Sequence, residues 1–373
     1  MFCPDLILIG FGNVARRFVR LLDERGAELR RDHGLEPRVI AIATARHGAA
    51  RNMGGLDVAR ALELVEQGGS LAPLDAPAAA GLPPSAPASG IEMIRQAARV
   101  ARRSGSTRPL VVVETTVLDV AAGQPAIDHV RAGLVEGAHV ITANKGPVAF
   151  AYAELDALAR AAGRRFLFEG AVMDGIPIFN LVRDTLPAVR ISGFSGVVNS
   201  TTNFIITAME GGQAFEEALA EMQAAGIAEA DASLDIDGWD AAAKAAALAN
   251  VLLGARTTPR QVERSGIGGL TADEVRQAVS RGKRLKLVAR GRRRDVGVSV
   301  RVGVEEVPAD HLFATLAGQQ NALVLETDLL GEFSIVQLGG GLTQTAYAIV
   351  ADLASLGRWL VAEGQHPEAQ GPS

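Results

Sequence analysis

Short apolar runs alternate with helical patterns through the first 150 residues. The apolar runs cover residues 6–10, 38–44, 110–116 and 139–144, and the helical patterns cover about 14–30, 57–67 and 126–136. An alternation of strands with helices predicts a doubly wound, largely parallel sheet with helices on both faces. The first part of the chain is therefore expected to be an α/β domain.

The pattern changes after residue 150. Apolar runs, several of them alternating with polar residues, at 189–200, 284–293, 296–307 and 322–330 predict strands of a second sheet, with Ala-rich helices between them. The Pro- and Ala-rich stretch 71–90 is interpreted as a surface loop rather than a domain linker. Because 373 residues exceed what one hydrophobic core usually organises, two domains are expected.

The composition of the chain indicates which kinds of binding partner and site are not expected. A hydrophobic fraction of 48%, a charged fraction of 21% and a net charge of -5 are typical of a soluble globular protein without a basic surface for nucleic acid. The single cysteine, Cys3, excludes an intramolecular disulfide and a cysteine cluster on zinc. The N-terminus has no secretory pattern and no apolar run reaches the length of a membrane span, which indicates a cytoplasmic protein without a membrane partner.

A glycine turn follows the first predicted strand. The sequence GFGNVA places Gly10 and Gly12 in the turn and Asn13 and Val14 at the start of a helix. Such glycines permit a tight turn and let a pyrophosphate approach the N-terminus of the helix. The turn, in the context of strand, helix and second strand, predicts a Rossmann-type domain that binds NAD or NADP.

The end of the second predicted strand bears on which cofactor is bound. It carries Arg46 and no acid that could accept a hydrogen bond from a ribose 2′-hydroxyl. An arginine at this place favours a 2′-phosphate, and hence NADP, with NAD as the alternative. A solvated loop arginine is the other interpretation of Arg46.

Two lysines stand out as candidates for acid–base chemistry. Lys145, in TANKGP, follows a predicted strand at the sheet edge where ligands of such folds bind. Lys244, in DGWDAAAK, lies four residues after Asp240, so both project from one face of a helix. A surface ion pair is the alternative for Asp240 and Lys244, and Asp237 is interpreted as the cap of their helix.

Several motifs in series carry a family resemblance. GFGNVA, VVVETT, VITANKGPV, EGAVMDGIPI, VVNSTTNFI, AEADASLDIDGWDAAAK and GGGLTQTAYAIVADL occur in this order over nearly the whole chain, to about Trp359. In order and spacing they resemble homoserine dehydrogenases. The resemblance implies reduction of L-aspartate 4-semialdehyde to L-homoserine by NAD(P)H, with lysine-assisted proton transfer, in the biosynthesis of threonine, methionine and isoleucine.

The resemblance also implies roles for individual residues. It implies Lys244 and Lys145 as catalytic lysines, with Lys244 transferring the proton, and a lysine pKa lowered toward neutrality by burial beside a second cation. Other implied roles are substrate binding by Glu229 and Asp240, cofactor contacts by Gly10, Gly12, Thr115, Lys145 and Gly341, and a Na⁺ or K⁺ site at Glu169, Val172, Asp174 and Ile176. Asp174 departs from the family pattern, because a small residue is common there, and Ser200 stands where glycine is frequent.

The implied organisation has three segments. They are a nucleotide-binding domain over 1–147, an α+β substrate-binding and dimerisation domain with a mixed sheet over 148–336, and a C-terminal helix with a polar tail over 337–373 that returns to the first domain. We expect a homodimer without a fused regulatory domain. Two alternatives stay open: a dehydrogenase of another amino-acid aldehyde, and a noncatalytic NADP-binding regulator, which would not need the two lysines and two carboxylates.

Overall fold

The computed structural model describes residues 1–76, 86, 89–224 and 231–364, and contains two six-stranded sheets. The strands of the first sheet are β1 (Asp5–Ile9), β2 (Arg38–Ala43), β3 (Ala49–Arg51), β4 (Leu110–Glu114), β5 (His139–Thr142) and β6 (Phe166–Leu167). Their spatial order is β3-β2-β1-β4-β5-β6, and all pairs are parallel except β2 with β3. The predicted doubly wound sheet is therefore confirmed. The chain order reverses between β1 and β4, where sheets of this kind bind ligands.

Within the described residues, six helices accompany this first sheet. They are α1 (Asn13–Glu24), α2 (Gly26–His33), α3 (Val58–Glu66), α4 (Gly90–Arg103), α5 (Ala126–Val135) and α6 (Lys145–Ala161). The single helix predicted over 14–30 is wrong, because the chain breaks at Arg25, whose φ of -114° and ψ of 6° are not helical. α4 begins within the stretch interpreted as a loop, and most of the rest of that stretch lies outside the described residues.

The second sheet is mixed, as expected. Its strands are β7 (Ile191–Val197), β8 (Glu263–Arg264), β9 (Lys283–Arg293), β10 (Val298–Pro308), β11 (Asn321–Thr327) and β12 (Glu332–Gln337). They lie in the order β12-β11-β7-β9-β10-β8, with β8 parallel to β10 and the other pairs antiparallel. The four strands predicted after residue 150 correspond to β7, β9, β10 and β11, whereas β8 and β12 were not predicted.

Further helices follow, some of them packed on the second sheet and the last of them on the first half of the chain. They are α7 (Phe179–Thr185), α8 (Ser200–Glu210), α9 (Phe215–Ala224), α10 (Ser233–Ile236), α11 (Trp239–Leu252), α12 (Ala272–Ser280) and α13 (Leu342–Gly364). The alanines of α11 are buried in the core that contains Leu287 and Val302 of the second sheet. Because alanine is small, α11 can lie close to α6, and this brings their N-terminal turns together.

α13 packs on the first half of the chain. Ile349 and Leu353 of α13 lie in the same buried cluster as Leu6 and Leu8 of β1. The exact boundaries of the three predicted segments stay a prediction. Within the part of the chain that the structure describes, no helix is both long enough and apolar enough to cross a membrane.

Candidate active site

The turn between β1 and α1 is open to a ligand. Gly10 has a φ of 89°, and a Cβ on it would lie 2.8 Å from the carbonyl carbon and oxygen of Thr115, so glycine is required there. A Cβ on Gly12 would meet open space. The backbone N–H groups of Gly12, Asn13 and Val14 donate to no other group among the described residues. These free donors at a helix N-terminus fit a dinucleotide pyrophosphate.

The segments after β1, β4 and β5 are tied together at one edge of the sheet. Thr115 donates its backbone N–H to the carbonyl of Ile9 at 2.8 Å and its hydroxyl to that of Gly10 at 3.2 Å. Glu114 is fully buried and accepts hydrogen bonds from the backbone of Thr116 and the hydroxyl of Thr142, both at 2.8 Å. Glu114 therefore fixes the residues that face the glycine turn.

Asn144 continues this connection to the first lysine. Its side-chain amide donates to the carbonyl of Thr116 at 3.0 Å, and its side-chain oxygen caps α6 by accepting from Gly146 at 2.9 Å. Lys145 is the first residue of α6, so Asn144 holds the lysine beside the segment that follows β4. Sequence reasoning did not name Glu114 or Asn144, although both lie inside the quoted motifs.

Asp240 bridges the two lysines. Its Oδ1 lies 2.9 Å from Nζ of Lys145, and its Oδ2 lies 3.0 Å from Nζ of Lys244. Lys244 also donates to the carbonyl of Val198 at 2.7 Å. The side chains of Lys145, Lys244 and Asp240 are 22%, 15% and 16% exposed. The group is therefore not a surface ion pair, and its partial exposure leaves room for contact with a ligand.

The contacts in this bridge shift the pKa values of Asp240 and Lys145. Burial favours a neutral Asp240, but Lys145 and Lys244 more than offset this and hold its pKa well below the usual value. Burial likewise opposes the charge of Lys145, but Asp240, followed by Asp235 and Asp174, raises its pKa above the usual value. The carboxylate between the two ammonium groups therefore keeps Lys145 charged. The expectation that the proton-transferring lysine has a pKa lowered toward neutrality stays a prediction.

Asn199 orients the bridge and links it to Asp235. Asn199 donates to Oδ1 of Asp235 at 2.6 Å and to Oδ2 of Asp240 at 3.0 Å, and its own oxygen accepts from the backbone of Thr202 at 2.8 Å. Burial and the nearby charge of Asp240 raise the pKa of Asp235, against the hydrogen bond from Asn199. Asn199 follows the second-sheet strand β7, and this position could have marked it in the sequence.

The interpretation of Asp237 as a helix cap is wrong. Gly238, with a φ of 78°, is the residue before α11, and no side chain among the described residues caps the helix. Asp237 instead ends the separate short helix α10 and is exposed. Of Asp235, Asp237 and Asp240, only Asp235 and Asp240 lie beside the lysines.

Asp174 lies near Lys145 and contributes to the raised pKa of that lysine. Its Oδ1 accepts from the hydroxyl of Thr345 and its Oδ2 from the side-chain amide of Gln337, both at 2.8 Å. A Cβ on Gly340 would lie 2.4 Å from Oδ2 of Asp174, so the carboxylate lies directly against the glycine-rich segment before α13. Gly341, the next residue, is exposed.

Glu169 forms a second buried acidic site. Its Oε1 accepts from the backbone of Ile178 at 2.6 Å and of Phe179 at 3.0 Å, and its Oε2 accepts from that of Asn180 at 2.5 Å. Its own backbone N–H donates to Asp352 of α13 at 3.0 Å. Burial, and then the charge of Glu169, raises the pKa of Asp352 to about 7. Burial also raises the pKa of Glu169, against its three backbone donors.

Backbone carbonyls without partners accompany these carboxylates. The carbonyls of Val172, Asp174 and Ile176 accept no hydrogen bond from the described residues. Carbonyl and carboxylate oxygens are the ligands that hard cations prefer. The donor set of this loop therefore fits a monovalent cation.

The structure brings most of the predicted site residues into two neighbouring groups. Gly10, Gly12, Asn13, Val14 and Thr115 surround the glycine turn, whereas Lys145, Asp174, Asp240 and Lys244 form the charged group described above. Glu229 lies outside the described residues. Arg46 is exposed after β2 and has no partner among the described side chains. A groove of about 1360 Å³ lies at the opposite ends of α6 and α11 and includes neither lysine.

Two family models match the chain. The model for the NAD-binding domain of homoserine dehydrogenase matches residues 10–169, and the homoserine dehydrogenase model matches residues 177–354. An NAD(+)-dependent homoserine dehydrogenase of Pseudomonas canavaninivorans is 34% identical over 97% of this chain and 98% of its own length. A homoserine dehydrogenase of Methanocaldococcus jannaschii is 35% identical over 94% of this chain and 97% of its own length.

Solved structures have the same fold. A putative homoserine dehydrogenase from Archaeoglobus fulgidus superposes with a TM-score of 0.79 at 27% identity, covering 95% of this chain and 99% of its own. A homoserine dehydrogenase from Thiobacillus denitrificans gives a TM-score of 0.77 at 32% identity, covering 100% of this chain and 76% of its own.

Proposed function

The chain belongs to the homoserine dehydrogenase family of NAD(P)-dependent oxidoreductases acting on CH–OH groups, and we propose that its lysine–aspartate bridge is the catalytic centre. The observation that carries this proposal is the position of Asp240 between Nζ of Lys145 and Nζ of Lys244, at 2.9 and 3.0 Å. A noncatalytic regulator has no use for two partly exposed ammonium groups on one carboxylate.

The cofactor and the protein have separate roles in the proposed reaction. When bound, the reduced nicotinamide supplies a hydride to the aldehyde carbon of aspartate 4-semialdehyde. Gly10, Gly12, Asn13, Val14 and Thr115 are the residues that would hold the dinucleotide, together with Gly341. Their support is the set of free N–H donors at the start of α1 and the contact between Gly10 and Thr115.

The lysines have different roles in this proposal. Lys244 gives its proton to the oxygen that becomes the homoserine hydroxyl. Its ammonium donates to the carbonyl of Val198 and contacts Asp240, so one of its three N–H donors remains for a substrate oxygen. Lys145, whose pKa is raised by Asp240, stays a fixed cation that binds the substrate. Asp240, and Glu229 by family resemblance, complete the substrate site.

Initial rates test this function directly. Oxidation of NADPH and NADH is measured with aspartate 4-semialdehyde and with succinate semialdehyde, which lacks the α-ammonium group. Turnover of aspartate 4-semialdehyde supports the proposal. A protein that binds NADPH but reduces neither aldehyde would instead be the noncatalytic regulator, and equal turnover of both would favour a less specific aldehyde reductase activity.

The choice between NADP and NAD rests on Arg46. The family establishes a nicotinamide cofactor, but the relative from Pseudomonas canavaninivorans is named as NAD(+)-dependent. Against this, the exposed guanidinium of Arg46 has no partner among the described residues and so is free for a 2′-phosphate. We therefore propose NADP as the preferred cofactor, with NAD as the alternative.

Replacing Arg46 is expected to separate the two cofactors. Arg46→Ala should raise the KM for NADPH by about 10- to 100-fold, because a charge-assisted contact contributes roughly 1.5–3 kcal/mol. The KM for NADH, which has no 2′-phosphate, should change by less than about twofold. The matched control is Arg60→Ala, which removes an exposed arginine paired with Glu63 on α3. Equal changes in the two KM values would remove Arg46 from cofactor selection.

We also propose a monovalent cation at the loop 169–176. The support is the carboxylate of Glu169 and the carbonyls of Val172, Asp174 and Ile176, which have no donors among the described residues. Glu169 keeps one lone pair on Oε2 after its three backbone hydrogen bonds. A Na⁺ or K⁺ ion there would also offset the negative charge that Glu169 and Asp352 bring into the interior.

The cation should stabilise the protein more at high pH than at low pH. The folded pKa of Asp352 is about 7 and its unfolded value is about 3.9. Stability from a neutral Asp352 is therefore present below about pH 4 and is lost as the pH rises through about 7. Thermal unfolding is measured at pH 5.5 and pH 8.5 in KCl, NaCl or N-methylglucamine chloride of equal ionic strength. We expect Tm to rise by several degrees with the metal ion at pH 8.5 and by less at pH 5.5. The same gain at both pH values, or none, would contradict this site.

A homodimer in the cytoplasm completes the proposal. Large apolar side chains are exposed in the second half of the chain, at the β11–β12 turn with Leu329 and around the start of α13 with Leu338 and Tyr347. These exposed apolar side chains support the proposal of an interface between subunits in this half of the chain. The single cysteine supports a cytoplasmic location.

A further inference from the structure

Asp174 holds its side chain in a fixed position at the edge of the charged group. It is one of two described non-glycine residues with a positive φ, at 51°, a conformation that aspartate tolerates better than most residues. Thr345 and Gln337 each donate to one of its oxygens at 2.8 Å. Gln337 is itself buried and accepts a hydrogen bond from Asn321 at 3.1 Å. The carboxylate is thus oriented from two sides.

The negative charge of Asp174 is not neutralised by a direct partner. No lysine or arginine among the described residues forms an ion pair with it, although it is close enough to Lys145 to contribute to the raised pKa of that lysine. Each of its oxygens accepts one side-chain hydrogen bond, so lone pairs remain for another donor. An oriented carboxylate with free acceptor capacity is suited to bind a cationic group.

The other described carboxylates of the site are already engaged. Both oxygens of Asp240 contact a lysine, and one of them also accepts from Asn199. Asp235 accepts from Asn199, and burial beside Asp240 favours its neutral form by raising its pKa. An amino-acid aldehyde brings one ammonium group, one carboxylate and one carbonyl oxygen. The two lysines can serve the latter two groups, and the ammonium still needs an anionic acceptor.

We propose that Asp174 binds the α-ammonium group of the substrate and selects amino-acid aldehydes over aldehydes that lack this group. The inference rests on the proposed function and adds a residue that departs from the family pattern. In this role the side chain of Asp174 acts separately from its backbone carbonyl, which the proposed cation uses. Thr345 and Gln337 are positioning residues, because they act only by orienting the carboxylate.

Removing the charge of Asp174 should change substrate selection. In the oxidation direction, L-homoserine is compared with 4-hydroxybutanoate, which has hydrogen in place of the ammonium group. Asp174→Asn should lower kcat/KM for homoserine by about 10- to 100-fold, the loss expected for one charge-assisted hydrogen bond. The Ki of 4-hydroxybutanoate as an inhibitor against homoserine should change by less than about threefold. This constant can be measured whether or not 4-hydroxybutanoate is turned over.

Two further variants guard against a change in folding. Asp174→Gly keeps the positive φ without strain and removes the carboxylate, so it should reproduce the loss seen with Asp174→Asn. Asp295→Asn changes an exposed turn aspartate of the second sheet and should leave both substrate constants unchanged.

The outcomes separate this inference from the proposed function. A wild-type protein that does not oxidise homoserine would overturn the proposed function itself. A wild-type protein that oxidises homoserine, combined with variants that weaken both compounds equally, would overturn only the role of Asp174. Unchanged selection in both Asp174 variants would assign the ammonium group to Glu229 instead.

Discussion

Lys244→Ala is expected to lower kcat by about 10²- to 10⁴-fold, the usual effect of losing a positioned acid or base. Lys244 lies where its ammonium contacts Oδ2 of Asp240 at 3.0 Å and the carbonyl of Val198 at 2.7 Å. Affinity for NADPH, measured by fluorescence titration, should be retained because the side chain lies away from the glycine turn. The Lys244→Arg variant should be nearly as inactive, since guanidinium does not release its proton in the accessible pH range.

Lys283→Ala provides the matched control for Lys244. Lys283 is an exposed lysine that contacts Glu306 at 2.8 Å, so its loss removes one positive charge and one ion pair outside the site. We expect kcat to be unchanged and stability to fall by no more than about 1 kcal/mol. An active Lys244→Ala enzyme, indistinguishable from the Lys283 variant, would assign proton transfer to another group and leave Lys244 as a structural partner of Asp240.

The sequence was most informative where neighbouring residues determine the structure. Buried parallel strands are short apolar runs, and the glycine turn follows directly from β1, so both were predicted from a few consecutive residues. The one-turn spacing of Asp240 and Lys244 likewise places both on one face of α11. Local patterns therefore predicted the sheet edge where ligands bind and the pairing of Asp240 with Lys244, but not the contact of Asp240 with Lys145.

Contacts between distant segments could not be predicted in the same way. Asp174 meets Thr345 across 171 positions, and Glu169 meets Asp352 across 183 positions, with no local pattern to connect the partners. The raised pKa of Lys145 could not be predicted for the same reason. Two nearby lysines suggest repulsion in a sequence, but the packing of α6 on α11 inserts Asp240 between their ammonium groups.

Short-range errors arose where backbone conformation competed with composition. Asp237 has the chemistry of a helix cap, but the positive φ of Gly238 separates it from α11 and leaves it at the end of α10. β12, with Glu332 at its start, was not predicted because the strand has only six residues and only three apolar side chains. Such cases depend on φ and on strand pairing, which single residues do not encode strongly.

Asp240 is the residue on which the charge of the site depends most. It is close to isosteric with asparagine, so Asp240→Asn preserves the shape of the side chain but removes the negative charge between Lys145 and Lys244. An asparagine oxygen can still accept from one lysine, but its NH₂ group faces the other. Two ammonium groups then lie close together without their shared counter-ion, and each favours loss of a proton from the other.

Asp240→Asn is therefore expected to reduce kcat/KM for aldehyde reduction by about 10²-fold or more and to shift its pH dependence. Asp240 is the main group that raises the pKa of Lys145, so the pKa of this lysine should fall in the variant. Because reduction needs protonated lysines, the loss of activity on the alkaline side should begin at lower pH, by roughly 1–3 pH units. The profile of kcat/KM is measured from pH 6 to pH 10 beside Asp237→Asn, which changes an exposed aspartate three residues away. A lowered rate with an unshifted alkaline limb would mean that Asp240 positions the substrate without setting the charge of the lysines.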